Sequence, residues 1–115
     1  MSKDYQAITG DILGGMKAIQ KQVPDMSKSF AQLGAATAGT DGVLDQKTKE
    51  LIALAIGVSK HCDGCVGFHT KKLAQLGATE AEVAEALGVA VYMGGGPSLM
   101  TAAEAMTGFK EWQAS

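Results

Sequence analysis

More than a quarter of this chain carries almost no side chain: 18 Ala and 15 Gly stand among its 115 residues. Residues that small let helices approach one another closely but give a sheet little to interlock. The β-branched and aromatic residues that strands favour are scarce, with Val and Ile together numbering 12 and aromatics making up 5%. An all-α fold is therefore expected. The length suits one domain spanning residues 1–115. With 46% hydrophobic and 19% charged residues, the composition is that of a folded globule and not of a solvated tail.

The charges exclude further classes. All ten basic residues are Lys, and twelve acidic residues leave a net charge of −2. Nucleic-acid readers cluster basic side chains and favour the bidentate fork of Arg, so no nucleic-acid partner is expected. No run approaches 18 apolar residues, and MSKDYQAITGD lacks the apolar stretch of a signal peptide. No membrane partner is expected, and a cytoplasmic location is the working expectation.

Glycine, proline and capping residues divide the chain into helical segments. Tyr5, Ile8, Ile12, Met16, Ile19 and Val23 recur at steps of three and four, one apolar stripe ended by Pro24. A shorter stripe follows in Met26, Phe30, Leu33 and Thr37, then a loop at Gly39-Thr40-Asp41-Gly42. Asp45 is an N-cap for a helix from Gln46 to about Lys60, the most apolar of the set, expected at the centre or at a subunit contact. A helix from Cys62 to Leu76 closes on Gly77. Thr79 with Glu82 forms a capping box opening a helix to Met93. Gly94-Gly95-Gly96-Pro97 breaks it and, lacking a Lys in phosphate-loop spacing, reads as a turn. A last helix from about Ser98 carries Leu99, Ala102, Met106 and Phe109 as its stripe. Met93, Met100 and Met106 read as core or subunit packing, Lys71-Lys72 as a solvated face. Six short helices make a compact bundle with a thin core, so a homo-oligomer is expected to bury the remaining apolar faces.

The chemistry concentrates in ELIALAIGVSKHCDGCVGFH, from Glu50 to His69. A disulfide between Cys62 and Cys65 would restrict the unfolded chain by only about 2 kcal/mol in the loop-entropy model, so the pair makes a poor staple. A cycling dithiol or a metal ligand set is the better use of that spacing. On a helix, Cys62, Cys65 and His69 share one face at steps of three and four. The positive end of the helix favours a thiolate at Cys62, whereas His69, one turn from Cys65, is placed to accept the proton of Cys65. Glu50 is in line with Ala53, Leu54 and Gly57, away from the solvated side of Lys47, Lys49 and Lys60. A carboxylate there must find a partner or be neutralised, and His69 or a thiol on the neighbouring helix would serve, with Gly57 permitting close approach. His61 reads as solvated. A metal held by Cys62, Cys65 and His69 would draw all its ligands from one helix, short of the four a closed zinc site takes.

Glu50, eleven residues, Cys62-x-x-Cys65, three residues and His69 together resemble the pattern of the alkylhydroperoxidase D-like branch of the carboxymuconolactone decarboxylase family, over most of the chain. That resemblance implies an all-helical trimer or hexamer and a dithiol site with peroxidase or disulfide-reductase activity. It also implies that Cys65 attacks peroxide and Cys62 resolves it, with Glu50 and His69 relaying the proton. Some members with peroxidase activity carry a His just before the second cysteine, where this chain has Gly64. No bound cofactor and no metal are expected. The substrate would be a hydroperoxide or a disulfide, and the reductant an external thiol donor, either a small dithiol such as a lipoyl group or a redox protein. The competing expectations are a thiol–disulfide reductase with incidental peroxide turnover, and a non-catalytic helical oligomer that senses redox state or binds metal.

Overall fold

The computed structural model describes residues 2–115. Six helices follow in order: α1 (Tyr5–Gln22), α2 (Pro24–Thr37), α3 (Gln46–Ser59), α4 (Asp63–Gln75), α5 (Glu80–Gly94) and α6 (Gly96–Ala114), with no strand among the described residues. The expected all-α architecture is the one found. No described helix is long and apolar enough to cross a membrane.

Local chemistry sets the boundaries. Asp4, Asp45 and Thr79 each accept a backbone N–H of the helix they precede, and Thr79 and Glu82 complete the reciprocal capping box. Pro24 occupies the first turn of α2, where its missing N–H removes no helical bond. Gly77 closes α4 at φ +76, and Gly95 separates α5 from α6 at φ +73. Lys49, expected on a solvated face, instead donates to the carbonyls of Thr37 and Thr40 at 2.9 and 2.8 Å, so its ammonium satisfies the open C-terminal end of α2.

The core lies among α3, α4, α5 and α6. Leu54 and Val58 of α3 meet Val66 and Leu73 of α4, Val83 and Leu87 of α5, and Ala102, Ala105 and Phe109 of α6. The stripe expected on α6 is found at Ala102 and Phe109, with Met106 partly buried against the core; the buried face also takes in Ser98, Thr101, Ala105 and Gly108, while Leu99 and Met100 point outward. Small residues on that face permit close packing. A Cβ at Gly108 would stand 2.7 Å from the ring of Tyr5, and one at Gly67 of α4 would meet the other edge of the same ring at 3.3 Å.

Tyr5 thereby seats the first half of α1 against α4 and α6. Beyond Ile12 the stripe of α1 leaves the body: Met16, Ile19 and Val23 are exposed, and no residue of α2 is buried. The α1–α2 hairpin carries Met26, Phe30 and Leu33 outward as well, with Phe30 67% exposed. Met93 is also exposed on the side of α5 where an apolar groove of about 380 Å³ runs between α3 and α5, lined by Leu51, Ile52, Ile56, Val89 and Met93.

Candidate active site

The site is built on the turn between α3 and α4. At the end of α3 the His61 N–H donates to the Val58 carbonyl and the Cys62 N–H donates to the Gly57 carbonyl, both at 3.0 Å, a paired closure that satisfies the last open carbonyls of the helix. Cys62 therefore finishes one helix with its N–H and begins the next. It is the N-cap of α4, where its Sγ accepts the Cys65 N–H at 3.2 Å and its carbonyl accepts the Val66 N–H at 2.9 Å. Both sulfurs sit in the first turn of α4, where open N–H groups and the helix dipole favour negative charge on sulfur. They are joined as a disulfide, with Cα atoms 5.2 Å apart.

Gly57 sets the distance between the two helices here. A Cβ on it would lie 2.8 Å from the Cβ of Cys65, so only a residue without one lets α3 pass this close to the thiol. One helical face further along, Glu50 of α3 and His69 of α4 meet, with His69 Nδ1 2.6 Å from Glu50 Oε2. The Glu50 side chain is 8% exposed and that of His69 31%. An ionised carboxylate here accepts the Nδ1–H, which orients the ring and leaves Nε2 as the nitrogen not held by Glu50. Glu50, Cys62, Cys65 and His69, the four residues singled out from the sequence, thus lie on two adjoining helices. Two of them are joined by a short hydrogen bond and two by a covalent bond.

Several neighbours could not be read from the sequence. The N-terminal segment touches both residues between the cysteines: Lys3 Nζ reaches Asp63 at 2.8 Å and also Glu104 at 2.9 Å, and a Cβ on Gly64 would collide with Ile12. Hydrogen bonds to Asp63 and then Glu104 raise the pKa of Lys3, keeping it a cation. His61, expected to be solvated, is exposed but anchored: its Nδ1 lies 2.8 Å from Thr101 Oγ1 on α6. Its backbone takes φ +55, the one positive value at a non-glycine residue among the described residues. Lys71, also expected in solvent, lies over the Trp112 ring, 5.3 Å from its centroid. Neither Thr101 nor Lys3 carries a local signal, because each meets its partner across at least 40 residues of chain. Among the described residues no group of three or more His, Cys, Asp or Glu is gathered as a metal ion would need.

Comparison with known proteins places the molecule. The sequence pattern of the carboxymuconolactone decarboxylase family matches residues 24–108. The fold is similar to the crystal structure of an apo carboxymuconolactone decarboxylase family protein from Legionella pneumophila. The TM-score is 0.92 and the sequence identity 50%, over 95% of this chain and 96% of that one. An uncharacterised protein of Cupriavidus necator is 43% identical over 90 residues, 78% of each chain. Another, from Haemophilus influenzae, is 38% identical over 72 residues, 63% of each.

Proposed function

The chain belongs to the carboxymuconolactone decarboxylase family, and from that premise we propose that it is a dithiol-dependent peroxidase of the alkylhydroperoxidase D-like branch. The observation that carries this reading is the 2.6 Å contact between His69 and Glu50 on the helix face that bears Cys65. A thiol four residues from an imidazole that is itself held by a buried carboxylate has the three parts of an activated nucleophile: attacking atom, base and orienting group.

In the reduced protein, His69 Nε2 takes the proton of Cys65 and the thiolate attacks the terminal oxygen of a hydroperoxide. The O–O bond breaks, Cys65 becomes a sulfenic acid, and the alkoxide takes the proton from His69 to leave as an alcohol. Cys62 then attacks the Cys65 sulfur, the S–S bond forms, and hydroxide leaves with the Cys62 proton as water. Two electrons have moved from the dithiol to the peroxide. An external thiol donor, a small dithiol or a redox protein, restores both thiols. Nothing in this cycle calls for a bound cofactor.

Association of several copies belongs to the same reading. The outer half of α1 and all of α2 expose an apolar face that a lone chain leaves in water, and the groove between α3 and α5 is apolar too. A second copy covering these faces makes the protein a homo-oligomer.

The test is turnover of cumene hydroperoxide with dihydrolipoamide as donor. Wild-type protein is expected to consume peroxide, and His69→Ala to lose about 10²- to 10⁴-fold, the usual contribution of a positioned base. Cys62→Ser should stop at a sulfenic acid on Cys65 that a dimedone probe traps. If the disulfide is reduced by the donor and peroxide is ignored, the protein is a thiol–disulfide reductase instead.

A further inference from the structure

Two helices of this chain end in the same turn and fill it differently. After α4, Gly77 takes the left-handed position at φ +76 while the Ala78 N–H donates to the Leu73 carbonyl. After α3, the equivalent position is His61 at φ +55 while the Cys62 N–H donates to the Gly57 carbonyl. Glycine adopts this conformation freely, whereas a histidine there carries a backbone cost that the turn itself does not require.

The ring supplies a reason for the histidine. Its Nδ1 is held 2.8 Å from the hydroxyl of Thr101, whose own proton is directed at the Pro97 carbonyl, 3.4 Å away. In the tautomer whose Nδ1–H donates to that hydroxyl, Nε2 is the ring's basic nitrogen. Thr101 is buried and His61 exposed, so the ring is fixed at one nitrogen and open at the other, on the residue next to Cys62. The nearby charged groups are Lys60 before it, and Asp63 and Glu104, both engaged by Lys3. Neither carboxylate backs this ring as Glu50 backs His69.

The two sulfurs therefore have unequal company: Cys65 shares a helix face with His69, and Cys62 adjoins His61. Resting on the dithiol reading above, we propose that His61 is the base that activates the incoming dithiol reductant at Cys62. Nε2 takes the proton of one donor thiol, and the donor thiolate attacks Cys62 Sγ. The Cys62–Cys65 bond breaks and its electron pair leaves on Cys65. The second donor thiol then attacks the donor sulfur of the mixed disulfide, its proton passing to the Cys65–His69 pair. Cys62 departs and recovers the proton held on His61. The donor ends as a disulfide, and both cysteines are reduced.

The experiment is rapid-quench reduction of the oxidised protein by dithiothreitol between pH 5.5 and 10, with released thiols alkylated and counted by mass. His61→Gly suits the left-handed turn and keeps the fold. It is expected to be reduced at least tenfold more slowly than wild type at pH 7 and to approach wild type near pH 9.5, where the donor is already ionised. Thr101→Val should fall between the two, Thr101→Ser should restore the wild-type rate, and Lys60→Ala should leave the profile unchanged. Coincident profiles for wild type and His61→Gly would overturn this role and leave the peroxidase reading standing. A wild-type disulfide that resists the dithiol at every pH would overturn both.

Discussion

Glu50 is a carboxylate within the core whose position is explained by His69, and its presence there was legible from its alignment with Leu54 and Gly57 on one helix face. Glu50→Gln keeps the shape and an acceptor for Nδ1–H but removes the charge that would steady an imidazolium in the proposed cycle. Hydrogen bonds to charged groups contribute about 1.5–3 kcal/mol, so peroxide turnover is expected to drop about 10- to 100-fold with the melting temperature nearly kept. Turnover at the wild-type rate would remove the carboxylate from the relay. Tyr5 makes the opposite case. Its ring is seated between Gly67 and Gly108, and its hydroxyl has no hydrogen-bond partner among the described residues. Burial pushes the phenol up to about 12 from its ordinary 10. A neutral phenol favoured by the fold contributes stability that is present below pH 10 and lost as pH rises through about 12. Tyr5→Phe should flatten that alkaline loss in a series of denaturant melts and cost nothing at pH 7. A wild-type alkaline slope in the variant would assign the loss to other groups. The sequence showed Tyr5 as the first residue of a stripe but not its seat, since the two glycines that make it lie 41 positions apart on different helices.

At the scale of elements, the helix ends were the readable part. Asp45, Gly77 and the Thr79–Glu82 box act on backbone groups within three or four residues of themselves, so their chemistry is complete in the local sequence. The buried face of α6 was readable in part. The expected stripe held at Ala102, Met106 and Phe109 and missed at Leu99, and it passed over Ser98, Thr101, Ala105 and Gly108, residues whose value on that face is smallness. Smallness also decides how α3 meets α4. Gly57→Ala puts a methyl group against the Cβ of Cys65, and overpacking of this kind costs about 1–3 kcal/mol. The expected outcome is a lower denaturation midpoint together with slower Cys65 alkylation in the reduced protein, as α3 and Glu50 are pushed away from α4. Wild-type values for both would show that the helices separate without consequence.

For the molecule as a whole, the composition indicated helices and a thin core but not how the apolar surface is shared out. The sequence marked Met16, Ile19, Phe30 and Leu33 as stripe residues, and periodicity cannot tell a face turned to the core from one turned to another chain. A stable association buries roughly 800 Å² on each partner, and the outer half of α1 with α2 offers a continuous apolar face for it. Wild-type protein is expected to elute by light scattering as a multiple of 11.8 kDa, and Ile19→Lys combined with Phe30→Glu to shift it to the monomer with reduced helicity as α2 loses its cover. A wild-type monomer would end the oligomer reading. The proposed redox groups come from one short stretch of chain. Glu50 and His69 are 19 residues apart in the chain, with both cysteines between them, and the stretch is closed by its own caps at Asp45 and Gly77. Loops this short close early and at small entropic cost. Every group of the proposed relay is thus drawn from two consecutive helices and the turn that joins them.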